Sequence, residues 1–103
     1  MSMLDTYRNN LLRKREEAAK LNQDLAKEQA KIAPLQQKII SANAAIGRTK
    51  SASTIKSKLN EIERANKAIA DTQKKVGDIQ KKLAQKEKEI AAAEKTYHNE
   101  ETK

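Results

Sequence analysis

The sequence predicts an all-α fold in which two long helices form an antiparallel coiled-coil hairpin. Three observations carry this. First, apolar residues recur at every seventh position in two runs. One run is Leu4, Leu11, Ala18, Leu25, Ile32, Ile39 and Ile46; the other is Ile55, Ile62, Ile69, Val76, Leu83, Ile90 and Tyr97. That period belongs to helices wound around one another. Second, the runs mirror each other: taken from the outside in, Leu4 falls with Tyr97, Leu25 with Val76 and Ile46 with Ile55, and the paired numbers add to a constant. A constant sum marks antiparallel neighbours, because the two chains run in opposite directions past each other. Third, charged residues make up 35% of the chain and aromatics 2%, with no Trp or Phe. Such a composition lacks the bulky side chains of a compact core, yet its periodic Ala, Glu, Lys, Gln and Leu signal long helices rather than disorder.

Helix one is expected over about 3–46, with Ser2 or Asp5 capping or charging its start. Pro34 removes one backbone donor, but the apolar ladder stays in phase from Ile32 to Ile39, which predicts a kink rather than a break. Gly47 follows the last ladder residue and suits a left-handed C-terminal cap. The turn is expected over about 47–52, with Ser51 or Ser53 as the cap of helix two. Helix two then runs over about 53–97, and the tail 98–103 frays.

The ladders define a seam of Leu4, Leu11, Leu25, Ile32, Ile39, Ile46, Ile55, Ile62, Ile69, Val76, Leu83, Ile90 and Tyr97. In the mirrored register the alternate layers pair Tyr7 with Glu94, Lys14 with Glu87, Leu21 with Gln80, Glu28 with Gln73, Leu35 with Asn66 and Ala42 with Leu59. Lys14 and Glu87 are then a matched charge pair that fixes register at some expense of stability. About half the layers are polar or mixed, so the core is thin and a second seam would strengthen it. Leu12, Ala19, Ala26, Ala33 and Ile40 repeat every seven residues beside the first ladder, and Ala70, Gly77, Ala84 and Ala91 do so on the same side of helix two. This is the expected self-association face, giving a homodimer or higher assembly, most simply a four-helix bundle.

The formal net charge of +8 is concentrated near the turn. Between Glu28 and Glu61 lie Lys31, Lys38, Arg48, Lys50, Lys56 and Lys58 and no acid. Arg48, Lys50, Lys56 and Lys58 are the expected contact surface for an anionic protein partner, with steering that fades at high salt. Nucleic acid is the weaker alternative for this end, since stacking aromatics and reading modules are missing.

No catalytic, cofactor-binding or metal-ligating set emerges. His98 is the single histidine, there is no Cys, and Gly47 and Gly77 lie far apart rather than in a phosphate-binding loop. The expectation is a non-enzyme without cofactor or metal. No stretch is long and apolar enough for a membrane span and the start lacks the apolar core of a signal peptide, so a cytoplasmic protein is expected.

The segment Ile46–Arg64, most strongly Ser53, Thr54, Ile55, Lys56, Ser57, Lys58 and Leu59, resembles the N-terminal coiled coil that precedes the TIR domain in bacterial TIR-domain proteins. The resemblance extends over roughly residues 38–95. It implies a scaffold role, because TIR domains of that family cleave NAD when assembled and their coiled coils bring copies together. The TIR domain itself has no counterpart in this sequence, so its catalytic glutamate maps to no residue here. The chain is also similar in size to helical-hairpin substrates of type VII secretion. Tyr97 and Glu101 match their C-terminal signal, whereas Ala45, Ile46 and Gly47 lack the Trp of their turn signal.

Overall fold

The computed structural model describes residues 2–103, and the described chain is all-α: α1 is Met3–Gln29, α2 is Ile32–Arg48 and α3 is Ala52–Glu101. It divides into two compact units, each an antiparallel helix pair. In the terminal unit the chain up to Leu25 packs against Asp78–Lys103; the tip unit is Ala26–Gly77. α3 supplies one helix to each.

Local chemistry explains each boundary. Ser2 starts α1: its Oγ accepts the Asp5 N–H at 3.1 Å and its carbonyl accepts the Thr6 N–H at 3.1 Å. The expected single first helix is two helices, and the break falls at Ala30 and Lys31, just ahead of Pro34. Without a Pro34 N–H, the Ala30 carbonyl has no partner one turn on, and Lys31 N–H bonds Glu28 O at 3.1 Å in a tighter three-residue turn. The inward face survives the break, since Ile32, Leu35 and Ile39 remain half-buried in phase with Leu25 and Glu28.

The reversal is shorter than expected, only Thr49–Ser51. Gly47 does not make the expected left-handed cap: it lies inside α2, and none of the described residues has positive φ. Thr49 leaves the helix instead, extended at φ −118 and ψ 152. Ser51 caps α3, its Oγ accepting the Thr54 N–H at 3.3 Å and its carbonyl the Ile55 N–H at 3.0 Å. At the far end α3 continues through Glu101, past the point where fraying was expected, and Thr102 N–H bonds His98 O at 3.1 Å.

Every residue of the expected seam is half-buried or buried, with Leu11 and Leu83 fully so. The register differs from the mirrored pairing. Asn66, Gln73, Gln80, Glu87 and Glu94 are exposed, as is Leu59 at 53%. The residues of α3 that face inward with the ladder are instead Lys58, Ala65, Thr72, Ile79, Lys86 and Ala93, one helical position earlier in each heptad. The pairing is therefore displaced by three residues, which sets Leu11 opposite Ala93 and Leu21 opposite Leu83 in the terminal unit. In the tip unit it sets Ile39 opposite Ala65 and Ala42 opposite Ile62. The physical reason is complementary size. A small residue across from a large one lets the helices approach closely, and Ala42, Ala65 and Ala93 are among the most buried positions of the chain.

Candidate interaction surfaces

The terminal unit is joined along one flank by ion pairs that cross between its helices. Lys14 Nζ donates to Glu89 Oε1 at 2.9 Å, and Lys86 Nζ to Glu17 Oε2 at 2.6 Å while lying 3.6 Å from Glu89. On the opposite flank Arg15 meets Glu94 at 3.1 Å. As residue numbers rise on α1 they fall on α3, which is the antiparallel sense. The expected register pair of Lys14 with Glu87 is thus replaced by Lys14 with Glu89; Glu87 is exposed and forms no ion pair among the described residues. The displaced register turns Glu87 outward and brings Glu89 to the rim of the seam.

These contacts tune the charges. The hydrogen bond from Lys86 holds Glu17 below the ordinary carboxylate value of 4.5, and the bond from Lys14 does the same for Glu89. Lys86 is pushed above 10.5, first by its bond to Glu17. Lowered carboxylates stabilise the fold above their unfolded value and lose that contribution as pH falls through the folded one; a raised lysine contributes below 10.5 and loses it as pH rises further. The thermal midpoint is therefore expected to fall as pH drops below 4.5 and again as it climbs past 10.5. Circular dichroism melts across pH should show both shoulders flattened in Glu17→Gln with Glu89→Gln; an unchanged profile in that variant contradicts the role of the network.

The tip unit differs in charge. It holds eleven Lys and Arg against four Asp and Glu, while the terminal unit holds eleven against ten. Nearly all the net charge is therefore in one unit. Of the four cations expected to meet a partner, Lys50 and Lys56 are exposed and unpaired among the described residues. Arg48 is exposed and its Nε donates to Ala44 O at 3.2 Å. Lys58 departs from expectation: it is half-buried at the seam and bonds Glu61 at 3.1 Å. In the same unit Glu28, held low by Lys31, keeps a buried Oε2 that no donor reaches.

Most residues of the expected association face are open to solvent within each unit. Ala19, Ala26, Ala33, Ala70, Ala84 and Ala91 are exposed, Leu12 is 47% exposed and Ile40 60%. Gly77 is half-buried, and an added methyl group there would meet no atom within 4 Å. Leu59, which the expected register paired with Ala42, is exposed as well. Its exposure follows from the displaced register.

Each unit also has a groove between its helices. The terminal groove, of about 520 Å³, has Glu17, Asp24, Lys82, Lys86 and Glu89 on its walls. The tip groove, of about 750 Å³, lies between α2 and α3 and includes Leu35, Lys38, Ala42, Arg64, Ala65 and Ala68. Sequence reasoning missed both grooves and the cross-helix network. The signal for the network was Lys86 and Glu89 one turn apart beside the ladder, paired in the structure.

Among the described residues no three His, Cys, Asp or Glu are grouped to hold a metal ion, and no helix is long and apolar enough to cross a membrane. His98 is exposed, 3.6 Å from Glu101. Comparisons with protein-family models, curated proteins and solved structures return no match.

Proposed function

We propose that this chain is a non-catalytic oligomerisation and protein-interaction module, an antiparallel coiled coil whose copies associate side by side. The observation that carries the reading is a large aliphatic side chain left in solvent in each unit, Leu12 in the terminal unit and Ile40 in the tip unit. Both sit at heptad spacing within a row of alanines. Exposed apolar side chains gain about 25 cal/mol per Å² when covered, and small neighbours permit close helix approach. A two-fold arrangement uses the same face on both copies and needs no further element. The reading agrees with the scaffold role implied by the resemblance to TIR-associated coiled coils, in which bringing copies together is the function.

Light scattering at two protein concentrations tests it. The wild-type chain is expected to show the mass of a dimer or larger, decreasing on dilution, while Leu12→Lys with Ile40→Lys is monomeric and still helical. A wild-type monomer at both concentrations contradicts the proposal.

A further inference from the structure

We propose that the tip groove between α2 and α3 receives a third helix, an acidic amphipathic helix from a partner protein. Leu35 and Ala68, both half-buried, provide the apolar surface of the groove, and Ala42 and Ala65 beneath it are almost fully covered. Small side chains there leave the groove open to a packed helix, the helix-in-groove mode of recognition. Lys38 on one wall and Arg64 on the other are exposed and form no ion pair among the described residues. The nearest acid in the groove, Glu61, is already engaged by Lys58 at 3.1 Å.

The terminal unit is nearly balanced in charge, although Lys20 and Lys82 in its own groove form no ion pair among the described residues. There Glu17 and Glu89 neutralise Lys86 and Lys14 across the helices. The tip unit carries the same number of cations with four acids to match them, and Lys38 and Arg64 in its groove are unmet among the described residues. An occupant that supplies carboxylates on both flanks of an apolar stripe completes what the terminal unit completes internally. A second copy of this chain does not fit that description, because each of its helices carries at least as many cations as acids. Nucleic acid would use the cations but leave the apolar surface bare. Ile40 does not line this groove, so the site stands or falls separately from self-association.

Fluorescence anisotropy with two synthetic helical peptides tests the inference. Both have leucine at heptad positions; one carries Glu on its flanks, the other Lys. The Glu peptide is expected to bind, with affinity falling about tenfold or more in Lys38→Glu with Arg64→Glu, and falling as salt rises from about 50 to about 500 mM. Ala68→Phe, which fills the groove without changing charge, is expected to weaken binding as well, and Ile40→Lys to leave it unchanged. Circular dichroism confirms that each variant remains helical. No binding by the Glu peptide, equal binding by the Lys peptide, or insensitivity to the charge reversal overturns the proposal. So does binding that ignores Ala68→Phe, or a short DNA duplex that binds with the same dependence on Lys38 and Arg64, because either would make the site a charge patch rather than a helix groove.

Discussion

Ala65→Asp is expected to unfold the tip unit, whereas Leu59→Asp, six residues earlier on the same helix, is expected to leave stability nearly unchanged. Hydrophobicity alone predicts the reverse, since Leu59 is the larger apolar residue. The structure decides by position: Ala65 is 4% exposed and Leu59 53%. An aspartate at Ala65 would force a charged group into a position that is 4% exposed, at a loss of about 3 kcal/mol. At Leu59 the same change enters solvent, within about 0.5 kcal/mol of neutral. Urea titrations followed by circular dichroism read both, at concentrations low enough to keep self-association out of the comparison. Equal losses at the two positions would contradict the packing described.

The terminal unit gives a second contrast between chemically identical neighbours. Leu11→Ala is expected to destabilise the fold by about 2–5 kcal/mol, by lost burial and by the cavity left opposite Ala93. Ala93 offers no bulk to fill that space. Leu12→Ala removes a side chain that is 47% exposed and improves helix propensity slightly, so a dilute sample should barely change. At high concentration the order shifts if copies associate, because Leu12 then lies in the covered face. The urea midpoint of each variant at two protein concentrations separates these contributions. A Leu11→Ala variant as stable as wild type would place Leu11 outside the seam.

The fold was legible in the sequence because its signal is redundant. Seven-residue spacing of large aliphatics appears in both helices, and no single substitution or proline could erase it. The register was not legible from the same signal. Most heptads of helix two have only one strongly apolar residue, so the second inward position is fixed by weaker differences. The mirrored pairing selected Leu59, Asn66, Gln73, Gln80, Glu87 and Glu94 for that role, although Ala65, Thr72, Ile79 and Ala93 form the less polar alternative. One large residue, Leu59, outweighed four moderate ones. The displaced register also explains why Glu89 and not Glu87 reaches Lys14.

Pro34 was expected to kink the first helix without resetting its register, and the chain turns at Ala30 and Lys31 with Lys31 still in the right-handed helical region. The in-phase ladder reports which face points inward, and that face is preserved through these two residues. Periodicity is therefore blind to a break that conserves phase. Gly47 misled for a related reason. A glycine after the last ladder residue permits a left-handed cap without requiring one, and α2 had one more residue, Arg48, to add before the chain turned. The basic character of the tip was visible at once, but the groove was not, because grooves depend on which small residues end up buried together across the pair.

The register carries everything that follows, from the exposed face to the groove and the ion pairs, and the chain has no cysteine to confuse a cross-linking test. Ala42→Cys with Ile62→Cys should close rapidly to an intramolecular disulfide under mild oxidation, since the two positions face each other across the tip unit. Ala42→Cys with Leu59→Cys should stay reduced under the same conditions, the second thiol pointing into solvent. If the pair with Leu59→Cys closes and the pair with Ile62→Cys does not, the helices pack in the mirrored register and the surfaces described are assigned to the wrong side chains.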